Sequence, residues 1–294
     1  MELHQLRYFI RAAELLHFTR AAESLYVSQP TLSSHIQQLE KELGCPLFDR
    51  VGRRVRLTEA GQLLLDHARK AIREVDVSKE AVAELLGLRR GALRLGTTQI
   101  FSQYLLPMSL AAYISAYPEI HVEVYWGISP EVERRVLSGD IDLGLCFLPP
   151  ESKDIQYEAL LSDEVVPVVS KKHPLAAHKA LSIAELGSLP LALLSTGMST
   201  RRLLDLQFAK SGFSPKILLE MNDIPALLAV VASGGAGTMV SSRLVANRPD
   251  LRSITIKEGI RRSAGIITRK ERHLSAAARA FLELIKIHCQ REKV

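Results

Sequence analysis

A helix with a polar but uncharged outer face, an arginine-rich hairpin just after it, and β-α-β alternation through the rest of the chain predict an α/β protein with an N-terminal winged helix-turn-helix. A long linker helix without internal proline joins this head to two α/β subdomains side by side, which implies a cleft between them. The expected boundaries are 1–60 for the head, 58–90 for the linker helix and 91–294 for the remainder. Within the remainder the subdomains are about 91–162 with 266–294, and about 163–265.

Leu3, Leu6, Phe9, Ile10, Ala13 and Leu16 form the buried face of an opening helix that braces the next two. Residues 18–43 then read as two helices around a tight turn. Ala21, Ala22 and Leu25 bury the first, Val27 packs the turn, and Leu32, Ile36, Leu39 and Leu43 stripe the second. Ser28 stands where an N-cap oxygen accepts from orphan amides, and Pro30 falls in the first turn, where a missing N–H costs nothing. Opposite the stripe lie Gln29, Thr31, Ser33, Ser34, His35 and Gln37, and no residue from Ser28 to Leu39 carries a full charge. A solvated helix usually carries Lys and Glu there. Short neutral donors and acceptors suit base edges instead; the plainer alternative is a surface helix rich in Ser and Gln. After Gly44, Cys45 and Pro46, a two-stranded ribbon turning at Val51-Gly52 carries Arg50, Arg53, Arg54 and Arg56, a phosphate clamp whose tip suits a minor groove.

These residues resemble the LysR-type transcriptional regulators. The resemblance is dense over about the first sixty residues, in Phe18-Thr19-Arg20-Ala21-Ala22, Val27-Ser28-Gln29-Pro30, Leu32-Ser33, Ile36, Leu39-Glu40, Leu43-Gly44, Pro46-Leu47-Phe48-Asp49-Arg50 and Leu57-Thr58-Glu59-Ala60-Gly61. It implies a regulator of transcription bound to double-stranded promoter or operator DNA. The expected contacts are Thr19, Arg20, Ser28, Gln29, Pro30, Thr31, Ser33, Ser34, His35 and Gln37 on the helices, with Arg50, Arg53 and Arg54 on the hairpin. The family often carries Arg or Gln at the place of Ser34 and Gln at that of His35, so its base preference does not transfer.

From Thr58 to about Leu88 the pattern is one helix, with Leu64, Ala68, Ala71, Val75, Ser78, Val82 and Leu85 spaced as a heptad seam. A seam on so long a helix needs a partner, either a second helix approaching over Ala68, Ala71 and Ser78 or the protein's own domain. The resemblance implies a homodimer through this helix, two heads on one duplex, and a homotetramer. Leu88-Arg89-Arg90-Gly91 reads as the hinge out of it.

Beyond the hinge, strands are expected at 92–96, 121–126 and 141–147, with helices at 104–117 and 130–137 between them. A second set has strands at 165–169, 191–194, 217–220, 238–240 and 265–268, and helices at 200–211, 224–232 and 275–290. The resemblance, looser here, rests on Leu105-Leu106-Pro107, Tyr117-Pro118, Gly139-Asp140-Ile141-Asp142-Leu143-Gly144, His173-Pro174-Leu175 and Gly234-Gly235-Ala236-Gly237. It implies a periplasmic-binding-protein-like effector domain of two subdomains joined by crossing strands. Ser241 and Ser242 stand where the family commonly has a proline.

In an open α/β sheet, ligands sit beyond the C-terminal strand ends, at helix N-termini with free amides. That rule selects Thr97, Thr98, Gln99 and Ser102 after the first strand, Ser129 after the second and Phe147 after the third. It also selects Ser195, Thr196, Ser199 and Thr200 before a later helix. Two hydroxyl-rich loops facing each other suit a small-molecule effector, an anion above all; the alternative is that the hydroxyls only cap helices. Arg201 and Arg202 are candidates to add charge, and Met198 and Ile224 to wall the pocket.

With 294 residues and 47% apolar content the chain is long enough for two or three packed units. Its formal charge of +6 is weak evidence for DNA binding: residues 1–60 hold eight basic and seven acidic side chains, whereas 257–294 hold ten and four. Cys45, Cys146 and Cys289 are widely spaced in no metal-like pattern, so no metal is expected and a reducing cytoplasm is the simplest home. A redox-sensing pair, which some family members use, is the other reading. No export signal and no membrane span is expected. Without Gly-x-Ser-x-Gly, His-Glu-x-x-His or a phosphate-binding Gly-Lys-Ser/Thr, no catalytic residue and no cofactor is expected. The rivals are an enzyme with a DNA-binding head and a plain solute-binding protein.

Overall fold

The structure is a computed structural model. It describes residues 1–51, 54–85, 91–187, 189–270 and 274–291, with backbone alone at 50, 51, 54, 80, 81, 83–85 and 291. The chain forms two compact units that divide at about residue 90.

The first unit contains α1 (Leu3–Leu15), α2 (Phe18–Ser24), α3 (Gln29–Leu43), the hairpin β1 (Phe48–Val51) and β2 (Arg54–Leu57), and α4 (Glu59–Leu85). Phe9, Ala12, Ala21, Ala22, Leu32, Ile36, Leu39 and Leu47 are its centre, and Phe48 sets its ring edge-on to Phe9 and Phe18 at 5.5 and 5.2 Å. Three expected core residues are exposed. Leu3 and Leu43 lie in terminal turns, and Leu16 is the left-handed C-cap of α1. Ala12 and Gln5 are buried in α1 instead.

In α4 the residues turned into the head are Leu65, Ala68 and Ile72, so the N-terminal half packs on its own unit. Of the expected seam only Ala68 is fully covered there; Ala71, Ser78 and Val82 are exposed and Val75 is half-buried. The side chain of Leu85 and residues 88–90 of the expected hinge lie outside the described residues, and Gly91 already opens a strand.

The second unit runs β3 (Gly91–Thr97), α5 (Gln99–Ala116), β4 (Ile120–Trp126), α6 (Ser129–Ser138), β5 (Leu143–Leu148), β6 (Ile155–Ser170), β7 (Ala180–Leu181), β8 (Leu191–Leu194), α7 (Ser199–Ser211), β9 (Ile217–Met221), α8 (Ile224–Ala232), β10 (Thr238–Ser241), β11 (Leu251–Ser253), β12 (Thr255–Ile256), β13 (Ile260–Arg269) and α9 (Ala276–Arg291). The main sheet has the order β10-β6-β13-β5-β3-β4. As the β-α-β pattern requires, β3 is parallel to β4 and β5.

β6 and β13 are far longer than the expected 165–169 and 265–268. They pair antiparallel from Ile260 opposite Val165 to Arg269 opposite Ile155, and so serve both β5 on one side and β10 on the other. Two crossing strands therefore join the halves of this unit. The register shifts between Ala264 and Gly265, and a Cβ at Gly265 would lie 2.0 Å from Glu158 O, so the ribbon closes there only with glycine. α5 starts at Gln99, five residues ahead of expectation, and continues through Pro107.

Candidate DNA interface and effector cleft

Helix α3 is built as its sequence suggests. Ser28 Oγ accepts from Thr31 N at 3.2 Å, Pro30 lies in the first turn, and Gly44 closes the helix at φ 72°. The turn before it passes through Tyr26, a non-glycine residue at φ 56° whose ring is 97% exposed. Gln29, Pro30, Thr31, Ser34 and Gln37 are exposed, as are Thr19 and Arg20 on α2, and Ser33 is half-buried. Gln29 Nε2 donates to Ser33 Oγ at 2.8 Å, which orders the first turn.

His35 departs from its expected place opposite the stripe. It follows Leu32 by three residues and precedes Leu39 by four, so it flanks the core face. There it is half-buried, with His4 Nε2 3.3 Å from its Nδ1 and the Tyr8 ring edge-on at 5.4 Å.

The hairpin pairs Phe48 with Leu57 through Val51 with Arg54. Arg53, and the side chains of Arg50 and Arg54, lie outside the described residues. Glu40 ties the ribbon to α3, its Oε1 accepting from Leu47 N at 2.8 Å and Phe48 N at 3.3 Å. Thr58 ties it to α4, donating to Pro46 O at 2.8 Å while accepting from Gly61 N at 2.9 Å.

In the second unit the expected ligand residues divide. Ser129, Phe147 and Ser199 line one cavity of about 230 Å³, together with Glu133, Arg202 and Arg262. Thr97, Thr98, Gln99, Ser102, Thr196 and Thr200 are not on its wall. Thr97 and Thr200 are buried, Thr196 is exposed, and Ser102 donates back to Gln99 O at 2.7 Å. Capping does not account for Thr98. It occupies the N-cap of α5, yet its hydroxyl makes no capping bond and is buried without a partner among the described residues, like Gln99 Oε1. Arg201 is structural: buried, it holds Asp205 at 2.8 Å and Leu194 O at 3.2 Å. Ile224 and Met198 belong to the apolar core, not to the cavity wall.

Arg262 was not among the expected site residues. Its Nε donates to Asp163 Oδ2 at 2.9 Å, its Cζ lies 3.3 Å from the centroid of the Phe147 ring, and the Asp163 carboxylate also accepts from Ser241. Nη1 and Nη2 are buried and have no partner among the described residues. Burial pulls the Arg262 pKa down, with Asp163 opposing it. Burial pushes the Glu133 carboxyl up, although the backbone N–H groups of Glu151 and Ser152 favour its ionised form. Cys146, beside Ser129, is pushed up by burial as well, and none of the three cysteines is in a disulfide.

A helix-turn-helix with a neutral outer face suits duplex DNA, and the second unit carries a cavity with Arg262 on its wall. A chain carrying both falls in the class of ligand-responsive regulators of transcription. Comparison with known proteins gives the family. Residues 3–62 match the bacterial regulatory helix-turn-helix protein, lysR family, residues 86–290 match the LysR substrate binding domain, and the chain belongs to the LysR family of transcriptional regulators. It is 32% identical to the transcriptional dual regulator GltC of Bacillus subtilis over 289 residues, 97% of this chain and 96% of that protein. It is 31% identical to the transcriptional activator CmpR of Synechocystis over 97% of this chain and 95% of that one. Among solved structures it is similar to full-length CbnR complexed with its target DNA, at a TM-score of 0.70 and 26% identity over 99% of each chain. These relatives are regulators, not enzymes, and so is this protein.

Proposed function

We propose that this regulator reads base edges through Gln29, Thr31, Ser33, Ser34 and Gln37 of α3, with Thr19, Arg20, Ser28 and Pro30 beside them. Arg50, Arg53 and Arg54 of the wing hold phosphates. His35, engaged by His4 and Tyr8, positions α3 more than it reads a base. In this reading 1–60 is the head, 58–90 the linker and 91–294 the effector domain, and the protein works in the cytoplasm. Two chains pair through the C-terminal part of α4, at half-buried Val75 and exposed Ser78 and Val82, and dimers pair into a tetramer.

The effector is a small anion in the cavity at Arg262. One observation carries this: Arg262 lines the cavity while both of its Nη atoms are buried without a partner among the described residues, which is costly unless a ligand completes them. A narrower reading draws on a likeness of the first hundred residues and of 276–282 to the cyanate-operon regulator. Ala277, Ala278 and Phe281 of that run are core residues of α9, so the run reports packing more than ligand choice. The test is the melting of the full chain in acetate, bicarbonate, phosphate and sulfate. Stabilisation by any of them that is lost when Arg262 is replaced supports the reading; stabilisation indifferent to Arg262, or none, defeats it.

A further inference from the structure

We propose that the cavity selects a small monocarboxylate with a short apolar body, and rejects dianions; this rests on reading the cavity as the effector site. The first ground is the shape of the free donors. Arg262 has its Nε committed to Asp163 and one face against the Phe147 ring. What remains is the Nη1 and Nη2 end, two parallel in-plane N–H groups that match the two oxygens of one carboxylate.

The second ground is the charge on the wall. Arg202 is already paired with Glu151 at 3.4 Å, and Arg262 with Asp163. The remaining ionisable group is Glu133, itself an acid, with the Cys146 thiol behind it. A second negative charge on the ligand would therefore meet carboxylates and no unmatched cation among the described lining residues.

The third ground is the rest of the wall. Leu148, Pro149, Leu203 and Leu206 join the Phe147 ring in lining it, and its volume of about 230 Å³ is that of a pocket for a small molecule. A short branched or aromatic acid fills that space, whereas a polyhydroxylated one would bury polar groups against leucine.

The test is calorimetric titration of the full-length protein with sodium isobutyrate, sodium benzoate, sodium succinate and inorganic phosphate. The double variant Asp163→Asn/Arg262→Met, which leaves no unpaired charge buried, is run beside the wild type, and matching melting curves establish that it folds. The expected result is one monocarboxylate per chain, bound at least about tenfold tighter than succinate or phosphate and weakened at least about tenfold in the double variant. Succinate or phosphate binding as tightly or more so, with loss in the double variant, overturns the monocarboxylate class and leaves the effector site standing. Absence of binding by both monocarboxylates overturns the class too. Binding of any probe that the double variant leaves unchanged overturns the class and the effector-site reading together.

Discussion

Asp163 and Arg262 stand opposite each other in the register of the two crossing strands and share a hydrogen bond of 2.9 Å, with Asp163 fully buried and Arg262 7% exposed. The pair is weak evidence for stability in itself, because desolvating two charges offsets their attraction. Breaking it is another matter. Asp163→Ala strands a buried guanidinium, and the expected loss is about 3–5 kcal/mol in urea unfolding. Asp163→Asn/Arg262→Met removes both charges and should restore most of that loss. Equal destabilisation by the two variants would mean that the charges do not control this position.

Glu40 is the link between α3 and the wing. Its carboxylate takes two successive backbone N–H groups, so Glu40→Ala should cost about 1.5–3 kcal/mol, and Glu40→Gln, which keeps an acceptor, clearly less. DNA affinity should fall with it, because the ribbon loses its register on the helix. Melting and binding measured on the same preparations check this. An Ala variant that melts like the wild type would show the contact to be idle.

Two glycines are fixed by close approach. A Cβ at Gly61 would lie 2.1 Å from Leu47 O, and one at Gly265 2.0 Å from Glu158 O. Both contacts are to backbone, which cannot swing aside. Gly61→Ala and Gly265→Ala should each lose about 1–3 kcal/mol, whereas Gly197→Ala, with nothing within 4 Å, should stay close to wild type. Chemical denaturation of the three variants gives the comparison, and a harmless Gly265→Ala would contradict the close approach.

Glu133 gives a pH dependence of known sign. Burial raises its carboxyl above the ordinary 4.5, so the folded protein holds that proton more tightly than the unfolded chain. The resulting stability is full below 4.5 and is lost as pH rises through the folded value. Glu133→Gln cannot ionise and keeps an acceptor for Glu151 N. It should therefore gain on the wild type as pH rises from 4.5 toward neutrality, in paired melting series. A wild-type-to-variant difference that is flat across that range would contradict the shift.

The head was legible because its signals are local. Ser28, Pro30 and Gly44 set the ends of α3 by their own backbone preferences, and Leu32, Ile36 and Leu39 show its buried face. His35 misled because spacing alone leaves a flanking position open; the rings of His4 and Tyr8, some thirty residues earlier, decide it. The crossing strands were shortened for a physical reason. Asp163, Glu164, Arg261 and Arg262 interrupt the apolar runs that mark a strand, and only the paired register reveals that Asp163 and Arg262 satisfy each other inside. The same interruption of the apolar run hid Arg262 as a residue of the cavity wall. Ser129, Phe147 and Ser199, picked by strand order, line one cavity, whereas Thr97 and Thr200 are buried, a matter of side-chain direction that the strand-end rule does not specify.

Sequence reading by the neutral face of α3 is the proposal on which the rest depends. Its most direct test is competition binding of wild type and Gln29→Ala to the DNA upstream of the protein's own gene and to a random duplex, over a salt series. The account predicts a specificity ratio lowered by about 1–3 kcal/mol with the salt slope unchanged, whereas Arg53→Ala should weaken both duplexes alike and flatten the slope. Equal loss on both duplexes for Gln29→Ala would contradict it.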